Sequence, residues 1–109
     1  MTQVFNGTGP GGTYTDLDLS GVVGANYALV LLKFVVIYTS DGSCGVSVRT
    51  KGDTASVKEW SNGKGASGAA FDTGNQAYFL VETDSSGKIQ WTDDGLTNTV
   101  VITVAGYIK

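Results

Sequence analysis

The chain has 109 residues, a formal net charge of −3, 16 glycines, one cysteine and no histidine. Its acids and bases are scattered, with no basic stripe to neutralise phosphates, which excludes a nucleic-acid surface. A single cysteine excludes an intrachain disulfide, and no run reaches the ~20 apolar residues of a membrane-spanning helix. A chain of this length reads as one domain, residues 1–109, which hides roughly two thirds of its unfolded surface without metal or disulfide support. Thirteen threonines and many valines, against two glutamates and one methionine, favour β structure. The opening MTQVFNGTG shows neither a basic n-region nor an apolar h-region, so no signal peptide is expected.

Eight strands are expected, at 2–6, 13–19, 27–38, 44–50, 54–60, 76–83, 87–92 and 98–108. After the first comes Gly7-Thr8-Gly9-Pro10-Gly11-Gly12, which has the spacing G-x-G-x-x-G. A dinucleotide site needs a helix behind that loop to meet the phosphate. Here the sequel TYTDLDL reads as strand, so the glycines read as a flexible loop. Asn6-Gly7-Thr8 matches a glycosylation sequon and, without a signal peptide, reads as chance. In 13–19, Leu17 and Leu19 oppose Asp16 and Asp18, the alternation of a strand with one wet face.

The third stretch, YALVLLKFVVIY over 27–38, does not alternate. One face carries Ala28, Val30, Leu32, Phe34, Val36 and Tyr38; the other carries Tyr27, Leu29, Leu31, Lys33, Val35 and Ile37. A helix is disfavoured by the β-branched and aromatic run and by the lack of caps. An unbent strand of this length reaches about 40 Å, more than the ~26 Å diameter expected for a compact chain this size. A bend or bulge is therefore expected. It still leaves apolar side chains over, so Leu29, Leu31, Lys33, Val35 and Ile37 are the candidate oligomer interface.

Ser40-Asp41-Gly42-Ser43 is expected to close a hairpin into 44–50, where Val46 and Val48 oppose Ser47 and Arg49. Cys44, at the start of that strand, reads as a small packed thiol. Lys51-Gly52-Asp53 is expected to close the next pair. The stretch 60–70, WSNGKGASGAA, reads as a loop beginning at Trp60, with 61–70 free of regular structure. An exposed Trp beside amides and carboxylates can stack on a sugar ring while the polar groups bond its hydroxyls. Trp60 with Asn62, and Trp91 with Asp93, are thus candidate ligand-binding residues, although core or interface anchoring is the commoner use of Trp. Asp84-Ser85-Ser86-Gly87 and Asp93-Asp94-Gly95 are expected to close the last two strand pairs. Neither matches a calcium loop, and neither offers the ligands to complete one. In 98–108, Val100, Ile102, Val104 and Ile108 share one face.

No nucleophile–base pair is legible: there is no His, and adjacent Asp93 and Asp94 cannot flank a scissile bond from one turn. A non-enzyme without cofactor or metal is expected. The segments TYTDLDLSGVVGANYALVLLKF, SVRTKGDT and LVETDSSGKIQW resemble small β-sandwich proteins encoded among the virion genes of tailed phages. The likeness covers most of the chain. It implies a virion component (head decoration, head fibre or tail-fibre module) working as a symmetric homo-oligomer, a trimer foremost, or docked on a capsid or tail protein. It also implies that Asp53, Asp84 and Gly87 form turns and that Trp91 anchors packing. The expected fold is all-β: an antiparallel sandwich, jelly-roll-like with about eight strands, or alternatively an Ig-like sandwich without the Cys…Trp…Cys signature. The expected function is structural, through self-association, or alternatively carbohydrate binding to a surface glycan through the tryptophans.

Overall fold

Eight strands build two four-stranded antiparallel sheets in a computed structural model that describes residues 1–37, 44–55, 57–62, 76–93 and 99–109, apart from the side chains of residues 37, 44 and 60–62. The strands are β1 (Thr2–Thr8), β2 (Thr15–Asp18), β3 (Leu29–Ile37), β4 (Cys44–Thr50), β5 (Lys58–Asn62), β6 (Gln76–Glu82), β7 (Lys88–Asp93) and β8 (Thr99–Ile108). The first sheet runs β1-β8-β3-β6 and the second β2-β7-β4-β5. Consecutive strands mostly alternate between sheets, and this is the strand order of an eight-stranded jelly roll. The Ig-like alternative is excluded by the same order, because it would segregate strands differently.

That topology corrects three of the expected hairpins. β3 and β4 lie in opposite sheets, as do β6 and β7, and β7 and β8. Residues 40–43 and 94–95 lie outside the described residues. The turn at 84–87 is as tight as its composition suggests: the Gly87 N–H donates to the Asp84 carbonyl at 3.0 Å, and Asp84 N–H to the Lys88 carbonyl at 2.9 Å. The strands on either side of it nevertheless enter different sheets. Only β4 and β5 form the hairpin expected of them, around Gly52 at φ 81°. Their second strand starts four residues late, at Lys58 rather than Thr54. Asp53 Oδ1 accepts the Ala55 N–H at 2.9 Å and holds the chain in a turn there.

Between β2 and β3 lies a single helical turn, α1 (Ser20–Val23), which ends at Gly24. Asp18 Oδ1 accepts the Ser20 N–H at 2.9 Å, which starts the turn, and fully buried Val23 plugs the sandwich end. Gly87 sits against the same turn. A Cβ there would run into the Gly24 carbonyl, so both its φ of 79° and its surroundings call for glycine.

The core lies between the sheets, and its aromatic rings meet in a chain of edge-on contacts. Trp91 of β7 meets Phe34 of β3 edge-on at 5.7 Å between centroids and Phe5 of β1 at 5.0 Å. Phe34 in turn meets Phe79 of β6 at 5.3 Å. One ring from the second sheet thus ties down two strands of the first, and Phe34 extends the contact to a third. Such pairs add about 0.5–1.5 kcal/mol each beyond the area they bury.

β3 does not bend in the manner expected. Ala28, Val30, Leu32, Phe34 and Val36 are all buried, so one face points inward along its whole described length. The molecule measures 43 × 27 × 18 Å, and its long axis accommodates a long strand that a sphere would not. The irregularity lies in the partner: Leu31 pairs with Gly106 but Leu32 with Val104, leaving Ala105 as an extra residue in β8.

Candidate functional site

Because β3 keeps a single inward face, its second face must lie on the outside of the first sheet. Residues directly opposite in a ladder share a face, so the register assembles that surface row by row. Leu29 sits between Glu82 and Ile108, Leu31 between Leu80 and Gly106, Lys33 between Tyr78 and Thr103, and Val35 between Gln76 and Val101. The exposed apolar side chains here run from 36% at Leu31 to 72% at Ile108, with Leu29, Leu80 and Tyr78 in between, while Val35 and Val101 are half-buried. Leu29, Leu31, Leu80, Gly106, Tyr107 and Ile108 line a shallow depression of about 250 Å³. Gly106 leaves its floor open: no atom lies near where a Cβ would stand.

Of the candidate interface residues, Leu29 and Leu31 are exposed, and Lys33 and Val35 are half-buried on the same face. Ile37 pairs with Thr99 by its backbone, and its side chain lies outside the described residues. Three contributors were missed. Tyr78 and Leu80 come from β6, where the alternation of QAYFLVE was a usable signal. Ile108, by simple alternation, shares the face of Val104, which is buried. The extra residue Ala105 reverses that parity and turns Ile108 outward beside Leu29.

The outer face of the second sheet is built differently. Gln90 Nε2 donates to Asp16 Oδ1 at 3.0 Å, while Gln90 Oε1 accepts from Arg49 Nε at 3.0 Å and from the Gly52 N–H at 3.2 Å. Lys51 Nζ closes the row as an ion pair with Asp16 Oδ2. The Arg49 guanidinium lies 3.9 Å over the Tyr14 ring. The hydrogen bond from Lys51, and then that from Gln90, hold the Asp16 carboxyl below its ordinary value; the bond to Asp16 raises Lys51. Asp18 is likewise lowered by its bonds to Ser20. Asp16, Arg49, Lys51 and Gln90 are thus engaged with one another.

The candidate sugar site does not assemble. Trp91 is 1% exposed and Asp93 4%, so neither can meet a sugar ring. Trp91 is held among the core rings because Ile89 and Trp91 alternate with Lys88 and Gln90 on an inward-facing strand. Asp93 instead secures the glycine loop: its Oδ1 accepts the Gly11 N–H at 2.6 Å and its carbonyl accepts the Gly12 N–H at 3.2 Å. Gly9 packs so tightly on that carboxylate that a Cβ would collide with it. The G-x-G-x-x-G segment is therefore an anchored turn leading into β2. Trp60 lies within β5, paired with Val46, and Asn62 ends that strand, which corrects the expected loop start. Their side chains and residues 63–70 lie outside the described residues.

Among the described residues no three His, Cys, Asp or Glu gather as a metal site would require, and no helix is long and apolar enough to cross a membrane. Asp84 is committed to its turn, where Oδ1 accepts the N–H groups of Ser86 and Lys88, both at 2.9 Å. Comparison with family models, curated proteins and solved structures finds no match.

Proposed function

We propose that this protein is a non-enzymatic structural component of a virus particle (capsid decoration, head-fibre or tail-fibre part) that works by self-association through the outer face of the β1-β8-β3-β6 sheet. The observation that carries the reading is the apolar patch of Leu29, Leu31, Tyr78, Leu80 and Ile108, drawn from three strands. Contiguous apolar surface of this kind marks contact sites on soluble proteins. Each such side chain gains about 1.5–3 kcal/mol if taken fully from water. The virion setting is supported by the resemblance of TYTDLDLSGVVGANYALVLLKF and LVETDSSGKIQW to phage virion proteins, and by the jelly-roll order, which viral capsid domains use.

Sedimentation of the purified protein tests the association. A multimer that falls to monomer on Leu31→Lys with Leu80→Lys, with its β circular dichroism intact, is the expected result. A wild-type monomer at micromolar concentration overturns it. Peptides of this chain at fixed stoichiometry in purified particles test the virion setting, and their absence overturns that part.

A further inference from the structure

The four strands of the first sheet contain two charged residues, Lys33 and Glu82. Both lie on the outward face, at opposite margins of the apolar patch. Leu31 pairs with Leu80; Lys33 pairs with Tyr78, two residues further one way, and Glu82 pairs with Leu29, two residues further the other way. Strand geometry puts their Cα atoms about 14 Å apart, and among the described residues neither takes part in an ion pair. The two opposite charges are thus equidistant from the Leu31–Leu80 row but separated from each other along the strands.

We infer that the occupant of this face is a second copy of the chain, related by a two-fold axis running across the strands along the Leu31–Leu80 row. This rests on the reading of the outer face as the contact. Such an axis reverses strand direction, so the Lys33 level of one copy meets the Glu82 level of the other, twice. A two-fold contact requires this kind of self-complementarity: whatever residue i meets in the partner, the partner's counterpart meets in return. One lysine and one glutamate placed symmetrically about an apolar centre satisfy it, and oppose no like charges among the strand residues of this sheet. The polar remainder of that outer face (Gln3, Asn6, Thr8, Gln76, Thr99 and Thr103) is neutral and fits a rim. The arrangement gives a dimer, or an even-numbered assembly, rather than the trimer foreseen from the resemblance.

The test is charge reversal with rescue, read by sedimentation equilibrium. Lys33→Glu and Glu82→Lys each place like charges together, and each is expected to weaken association about tenfold or more. The double variant Lys33→Glu with Glu82→Lys restores the pairing and is expected to return to within a few-fold of wild type, a rescue that simple loss of charge cannot produce. Neutral Lys33→Gln and Glu82→Gln should give smaller losses and serve if a reversal fails to fold. Singles without effect, or a double variant no better than the singles, overturn the two-fold pairing. So does an odd-numbered mass. If Leu31→Lys with Leu80→Lys still dissociates the assembly in those cases, the face remains the contact and only its geometry is wrong. If that variant stays assembled, the reading of the face itself fails.

Discussion

The two outer faces of this sandwich descend from the same strand geometry and yet do opposite things with it. On the second sheet, Asp16, Gln90, Arg49 and Lys51 form one hydrogen-bonded row across three strands, and an arginine caps a tyrosine ring. On the first, the corresponding positions hold Leu29, Leu31, Leu80 and Ile108, with a depression over Gly106. A self-satisfied polar row gains little from a partner, since any new bond must replace one already made. An apolar row gains by every square ångström covered. The contrast points to the apolar side as the one the proposed association would use, and to the polar side as one with little to gain from it.

The largest effect should come from what the two faces share. Trp91→Ala removes the ring that ties Phe5 and Phe34 to the second sheet and should cost about 3–5 kcal/mol, measured by urea unfolding. Both faces should be lost together in that variant. Retention of either one after unfolding of the other would mean that the sheets are not one cooperative unit. Gly9→Ala comes next. Its methyl meets the Asp93 carboxylate, and an overpacked site of this kind costs about 1–3 kcal/mol, again read as a lower urea midpoint. A neutral result would show that the glycine loop can lift away from β7 without consequence.

The third effect separates the faces. Leu31→Lys with Val35→Lys puts two like charges on the apolar side and should release monomer that keeps its β circular dichroism. Because both positions point outward, the monomer should lose no more than about 1 kcal/mol, as surface changes do. A comparable double change on the polar face, Ser47→Lys with its exposed cross-strand partner Glu59→Lys, should leave the assembled mass as it was. Equal dissociation by both pairs would end the distinction between the faces.

How much of this was legible in the sequence differs between strands and their partners. All eight strands could be placed, because apolar alternation and Asp-Gly or Ser-Gly turns are local signals. Which sheet each strand joins could not. The turn at 84–87 has the same chemistry whether the next strand folds back alongside or crosses the core, and only packing of Ile89 and Trp91 against the first sheet decides it. The doubly apolar character of β3 was readable, and so was the surplus face it creates. The outward turn of Ile108 was not, since Ala105 differs in nothing visible from a regular strand residue. The short start of β5 escaped for a related reason: Asp53 and Thr54 suit a strand end and a turn equally well, until the Asp53 carboxylate takes the Ala55 N–H.

The smallest effect belongs to the polar face and tests whether its row is a bond network or merely a wet surface. Asp16 titrates below its ordinary value in the folded chain because Lys51 and Gln90 bond its charged form. A carboxyl lowered on folding contributes stability that is fully present above its unfolded value, 3.8, and is lost as pH falls through the folded one. Lys51, raised by the same contact, contributes below its unfolded value of 10.5, and that part is lost as pH climbs past its folded one. Stability should therefore sag slightly at both extremes and stay flat between them. Asp16→Asn should remove most of the basic sag, leaving what the charge of Asp84 supplies to Lys51, and shrink the acid one to what Asp18 supplies. Both sags should fade in 1 M salt, where screening acts over about 3 Å. The assembled mass at pH 7 should not change with Asp16→Asn, because the row lies on the face opposite the contact. Dissociation by this substitution would place the contact on the second sheet, and the division of labour between the faces would be reversed.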